Sequence, residues 1–278
     1  MRLPTIRPMT PADVGPATEA LLRDDWGDRR IHLGFAAAHP ECRAFVADAD
    51  GEIVGTGIAT LNGAVGWIGT IWVDPAWRRH GLGMGLTRAT IDAADDAGCR
   101  TLVLVATEAG QRMYEPLGFV VQSTYRILET AGLAGQPADP SVRAFRVSDL
   151  AAMAALDADA TGEGRAHLLA AFAGPDTTLC LDRPDGTLGG FVVRAPWGGG
   201  ATIAPALDDA MAILRARRLA AGPDKRVRAG LLSDNEAGLD RLARDGWVEA
   251  WHAPRLVRGD PLHWHPDAIW GQFNHAIG

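Results

Sequence analysis

At 278 residues, 47% hydrophobic and 22% charged, the chain has the length and balance of one large globular domain or two ordinary ones. A formal net charge of −7 argues against nucleic acid or an anionic membrane surface as partner and favours a cationic substrate. No run approaches the roughly eighteen apolar residues of a membrane span, the start MRLPTIRPMT has no apolar signal core, and Cys42, Cys99 and Cys180 are too scattered for a disulfide framework, so the expected compartment is the cytoplasm.

In chain order, a short strand is expected at Ile6–Arg7. A helix should start at Thr10-Pro11-Ala12-Asp13, with proline in its first turn, and run through Val14, Ala17 and Leu21. A charged, less regular stretch carrying Trp26 and Phe35 follows. Phe45–Ala47 and Ile53–Thr60 read as paired strands across the turn Asp48–Gly51, and Asn62-Gly63 turns the chain into a strand at Gly66–Val73.

Asp74-Pro75 stops that strand. Two arginines, a histidine and glycines at 81, 83 and 85 come next, then a helical pattern closed by Gly98. Strand, basic glycine loop and helix in this order aim backbone N–H groups and a helix dipole at one anion, here expected to be a diphosphate. No lysine and no Ser/Thr follow the last glycine, which excludes a P-loop, and the glycine spacing is not the G-x-G-x-x-G of dinucleotide sites. Thr101–Val105 is a continuous apolar run of the kind buried on both faces. A short helix over Glu108–Leu117, ended by Gly118, leads to a strand at Val120–Leu128.

Arg78, Gly81 and Gly83 after a strand ending Val73-Asp74-Pro75, with Tyr114 and Gly118-Phe119 of MYEPLGF about thirty residues on, resemble the two motifs of the GNAT acyltransferase superfamily. The resemblance implies an N-acetyltransferase that uses acetyl-CoA as acyl donor and a small-molecule or peptide amine as acceptor. It implies that the pantetheine arm lies along Ile71, Trp72 and Val73. The diphosphate would be taken by Arg78, Arg79, His80, Gly81, Leu82, Gly83 and Met84, with the choice of arginine open. It further implies that the Tyr114 hydroxyl serves the coenzyme sulfur, although Tyr114 could instead be a core aromatic. Many members carry a glutamate on the strand before the loop; here Trp67 stands in that place, so the base is unassigned among Asp24, Asp25, Asp28, Glu41 and Glu108. His263 and His265 lack a third ligand at a persuasive spacing, and no metal is expected.

The opening of the chain recurs. Arg7…Asp13 matches Arg143…Asp149, and Gly118-Phe119 matches Gly246-Trp247. The expected fold is therefore α/β with a mixed sheet, as two GNAT-like domains in tandem: 1–130, a linker 131–140 rich in Gly and Pro, and 141–278. In the second copy IAPALDDAMAIL stands at the loop position, with Asp208 and Asp209 where a diphosphate would sit, so that copy reads as degenerate. Two other readings compete with the enzyme: an acyl-CoA-binding sensor without catalysis, and a mainly structural protein whose second copy forms a homodimer.

Overall fold

The computed structural model describes residues 3–278. The first half runs β1 (Thr5–Pro8), α1 (Val14–Arg23), α2 (Arg30–Ala38), β2 (Cys42–Ala49), β3 (Glu52–Asn62), β4 (Val65–Val73), α3 (Leu82–Asp96), β5 (Thr101–Val105), α4 (Glu108–Tyr114) and β6 (Val120–Ala131). The second runs β7 (Val142–Ala144), α5 (Leu150–Thr161), α6 (Ala166–Phe172), β8 (Thr178–Asp182), β9 (Leu188–Arg194), β10 (Gly200–Ile203), α7 (Leu207–Ala221), β11 (Arg226–Leu232), α8 (Glu236–Arg244) and β12 (Val248–Gly259), and closes with a short β13 (Ile269–Gly271). Helix α2 falls in the stretch expected to be irregular. Charges and Gly34 mask its pattern, but the Asp28 carboxylate accepts the Arg30 N–H at 2.8 Å, and Leu33 and Ala36 are buried.

The repeat seen in the sequence is a repeat of structure. Arg7 forks onto Asp13 and Asp48, joining the first helical turn to β2, and Arg143 forks in the same way onto Asp149 and Asp182. These bonds hold Asp13 and Asp149 well below the usual carboxylate range. Gly118 and Gly246 take φ of 86° and 79°, left-handed values that suit glycine, and each sets a buried aromatic (Phe119, Trp247) before the long strands β6 and β12.

Those strands are exchanged between the halves. The large sheet has the order β1-β2-β3-β4-β5-β12-β6-β11, so β12 of the second half lies between β5 and β6 of the first, and β6 lies between β11 and β12 of the second. Arg255–Gly259 pair with Val105–Thr101, and Ala131–Tyr125 pair with Arg226–Leu232 in the mirrored register. At the centre Val248 faces Glu129 and Val257 faces Val120, equivalent pairs under an approximate two-fold axis. One buried cluster, with Val65, Trp67, Val103 and Tyr125 from the first half and Met153, Phe191, Phe273 and Ile277 from the second, is common to both. The smaller sheet, β13-β10-β9-β8-β7, belongs to the second half.

Residues 1–130 therefore lack the strand that fills the middle of their own sheet. Expressed alone, this fragment is expected to be aggregation-prone, with an exposed gap between β5 and β6, whereas co-expression with 131–278 should restore a 1:1 complex. Size-exclusion chromatography and circular dichroism of the fragment alone and of the pair check this; a monomeric fragment with a cooperative melt contradicts it.

Candidate active site

Two strands and one loop build the site. β4 and β5 run parallel but pair only over Val65–Trp67 and Thr101–Val103. Beyond Trp67 the edge of β4 that faces β5 has no strand partner among the described residues, while the other edge stays laddered to β3 as far as Val73 opposite Gly55. The parting follows a bulge. Thr56 faces Trp72 and Ile58 faces Gly69, so Thr70 and Ile71 together oppose Gly57. Thr70 has φ of 52°, a value a β-branched residue seldom takes. It is held from both sides: Thr56 Oγ1 donates to its carbonyl at 2.8 Å, and its hydroxyl lies 3.1 Å from His32 Nε2. The unpaired edge at Ile71, Trp72 and Val73 is a slot in which an extended amide-bearing chain can add as a strand does.

The glycine loop stands at the end of that slot. Asp74 accepts from the Ala76 N–H and starts the turn; Arg79 and Gly81, with φ of 66° and 80°, swing the chain into α3. The Gly85 N–H donates to Gly81 O at 2.9 Å, so the N–H groups of Leu82, Gly83 and Met84 lie at the helix's open end. A β-carbon on Gly83 would meet nothing nearer than Val73 Cγ2 at 3.6 Å, so the fold itself does not demand glycine there. Met113 Sδ is 3.9 Å from the same point, which brings α4 against the loop.

Arg78 is already engaged. Its Nε donates to Val73 O at 2.9 Å and its Nη2 pairs with Asp24, whose Oδ2 also accepts from Trp72 Nε1 at 2.8 Å. Asp24 is thus a fastener between α1 and β4, while Arg79 and His80 are exposed, with no partner seen among the described residues. Tyr114 closes α4, its ring edge-on to Phe119 with centroids 6.0 Å apart, and burial pushes its hydroxyl up to about 12. The Asp28 carboxylate accepts the Arg30 N–H at the start of α2, and the Glu108 side chain lies outside the described residues. Among the described residues no three His, Cys, Asp or Glu side chains group as a metal would need.

Sequence reasoning missed the carboxylate that reaches β4 from the other half. Trp67 Nε1 and Asn62 Nδ2 each donate to Glu163 Oε2 at 2.8 Å, and Arg255 lies 3.8 Å from Oε1, its guanidinium between the rings of Trp67 and Trp264. Glu163 is 4% exposed, and burial pushes its pKa up. No local signal could have found it, because it lies 96 residues from Trp67 in the chain.

The chain tail packs beside them. A β-carbon on Gly69 would fall 2.4 Å from Ala276, and Asn274 lies 3.4 Å from His32 Nδ1. The α1–α2 side of β4 is therefore walled by the second half.

The model of the acetyltransferase (GNAT) family matches residues 10–119. Aminoglycoside N(6')-acetyltransferase type 1 of Stenotrophomonas maltophilia is 36% identical over 111 residues, 36% of this chain and 72% of that protein. The uncharacterized N-acetyltransferase YitH of Bacillus subtilis is 29% identical over 218 residues, 75% of each chain. The chain belongs to the GNAT acetyltransferase family. Among solved structures, a protein of Pyrococcus horikoshii described as a candidate acetyltransferase superposes with a TM-score of 0.82 at 19% identity, over 100% of this chain and 97% of its own. A tandem GNAT protein from the clavulanic acid biosynthesis pathway gives 0.62 at 14% identity, over 92% and 99%. Both support the same mixed α/β fold in two domains.

His32 beside the bulge and His275 in the tail are each lowered to about 4 by burial, so both are neutral at pH 7. An unfolded chain takes up these protons near pH 6.5, so stability is present above that pH and is lost as the pH falls towards 4. Each histidine should remove about 2 kcal/mol between pH 7 and pH 5. Urea unfolding at the two pH values is expected to show this loss, and His32→Gln, which keeps a polar contact for Thr70, should reduce it by close to one histidine's share.

Proposed function

We propose that the chain is an acetyl-CoA-dependent N-acyltransferase acting on an amine of a small molecule or peptide, with the donor held by the first half alone. One observation carries this reading: only the first half keeps both an open slot beside its fourth strand and an unobstructed helix start at the end of it. In the second half β13 pairs with β10 and lies next to β11, filling the corresponding slot, and only residues 204–206 separate β10 from α7 where residues 74–81 stand in the first. Asp208 and Asp209 head α7, and Asp209 is paired with Arg183. The aminoglycoside specificity in the name of the Stenotrophomonas relative supports a small amine as acceptor.

The free edge of Ile71, Trp72 and Val73 would hold the pantetheine amides. The N–H groups of Leu82, Gly83 and Met84, with Arg79, would hold the diphosphate, while Arg78 fixes the loop through Asp24. When bound, the coenzyme supplies the acyl group as a thioester. An alkyl ammonium is about 3.4 units from neutral at pH 7, a deficit of roughly 4.6 kcal/mol. Asp24 is taken up by Arg78 and Trp72 and Glu163 is sealed behind Trp67, which leaves Asp25, Asp28, Glu41, Glu108 or a water to take the amine's proton. Because Tyr114 holds its proton tightly, it serves a departing sulfur as a hydrogen-bond donor and not as an acid. The lack of a carboxylate on β4 favours, as second reading, a non-catalytic acyl-CoA sensor; thiol release measured on a panel of amines separates the two.

Gly83→Val should fold, since the β-carbon has room, yet place a branched side chain where the diphosphate approaches. Calorimetric titration with acetyl-CoA is expected to show affinity weakened by about tenfold or more, roughly 1.4 kcal/mol per tenfold. Unchanged affinity in the folded variant would remove this loop from the site.

Tyr114→Phe keeps the ring against Phe119 and deletes only the hydroxyl. If that hydroxyl meets the leaving sulfur, kcat and kcat/KM for acetyl-CoA should both fall about ten- to a thousandfold with KM little changed. Steady-state acetylation paired with a thermal melt checks it; full activity would leave Tyr114 as a core aromatic.

A further inference from the structure

A cavity of about 890 Å³ lies apart from the glycine loop, with none of the loop's residues in its lining. It opens in the second half between the start of β10, the strand β11 and the C-terminal end of α7, where β13 no longer fills the gap. Trp197, Phe273 and His275 form part of its lining, and Trp251, 41% exposed, also borders it. Five arginines line it (Arg29, Arg194, Arg217, Arg226 and Arg228) against two carboxylates, Glu129 and Asp176, a formal net charge of +3 within a chain of −7. Glu129 is shared by Arg226 and Arg228. Among the described residues, Arg29, Arg194 and Arg217 have no carboxylate partner; Arg29 and Arg194 donate to the carbonyls of Trp26 and Asp176.

Arg217 is the telling residue. Its side chain lies over Gly200, with Nη2 3.6 Å from where a β-carbon would stand, and its Nη1 is sealed from solvent with no hydrogen-bond acceptor among the described residues. Elsewhere the buried guanidinium group of Arg165 and the half-buried ones of Arg7 and Arg143 each meet carboxylates. A sealed, unmatched guanidinium donor is costly to a fold unless something completes it. Burial and the charge of Arg194 lower Arg217 to about 10, so it is still a cation at neutral pH.

We infer that this cavity is a second ligand site, which takes a small organic anion by its carboxylate or phosphate head at Arg217 and Arg194 and by its flat apolar body against Trp197 and Trp251. A cavity of this size that joins aromatic walls to a cluster of guanidinium groups has the make-up of a pocket for a small anionic molecule. The bidentate fork of arginine selects planar oxyanions, and the rings cover an apolar body. The site differs from the acyl-donor slot in position and in charge, and it does not depend on the catalytic reading.

The test is calorimetry on the full chain with three probes: 2-naphthoate, phenyl phosphate and the neutral 2-naphthamide. At least one anion should bind, naphthamide should bind about tenfold or more weakly than naphthoate, and Arg217→Met should weaken the anion by a similar factor. The Met variant should melt no lower than wild type, because it deletes an unmatched buried charge, and should titrate acetyl-CoA as wild type does. If Arg217→Met fails to fold, Arg217→Lys, which keeps the charge and loses the fork, should still weaken the anion severalfold. Equal binding of naphthoate and naphthamide, anion affinity indifferent to residue 217, or no binding of either anion at millimolar concentration would each overturn the proposal.

Discussion

The antiparallel contact of β6 with β12 is the constraint on which the rest of the molecule depends. Each half supplies a long strand that sits one place inside the other half's sheet, so neither sheet is complete by itself. The exchange buries Tyr125 and Leu256 at once and leaves β11 as the only second-half strand at that end of the sheet. The sealed pair Asp157–Arg165 and the group Glu163–Arg255–Trp67 lie at the meeting of the halves. Apolar residues of equal volume could hold such a joint as tightly, but fixed hydrogen bonds allow fewer alternative registers.

This joint explains the site. β4 is stabilised on one edge by β3 and must remain open on the other, so the bulge at Thr70 has to be held by something else. His32 and Asn274 supply one side of that support, and Trp67, pinned by Glu163, supplies the base of the slot. A left-handed φ at a β-branched residue costs on the order of 1–3 kcal/mol and persists only when its surroundings over-determine it. Both direct partners of Thr70, Thr56 and His32, belong to the first half, and the second half backs them through Asn274 beside His32 and Ala276 beside Gly69.

Most of the first half was legible because its signals are local. The strand-stop at Asp74-Pro75, the glycines at 81 and 83 and the turn at Gly118 each act within a few residues, and the Arg7/Arg143 repeat marks the same hydrogen-bonded fork twice. Helix α2 was hidden because its burial rests on packing against α1 and β2, not on a clean periodicity. The strand exchange could not be read at all: β6 and β12 have the mixed polar and apolar pattern of half-buried strands, and nothing in that pattern says whose sheet they join. The same holds for Glu163 and for Arg78, where the motif supplies the arginine but only the fold reveals Asp24 opposite it.

A duplicated fold begins with two equivalent slots, and the difference between them here is made by one segment. The residues after β12 return as β13, which takes the open edge of β10 and satisfies it, with Gln272 donating to Gly230 O at 2.9 Å across to β11. The same segment then continues to Ala276 and Ile277, which meet Gly69 and Asn62 on the wall of the first slot. Closing one slot and walling the other are therefore a single structural event. β13 closes the slot at the end of β10 that leads into α7, and the arginine-lined cavity opens at the opposite end, where β10 and β11 begin.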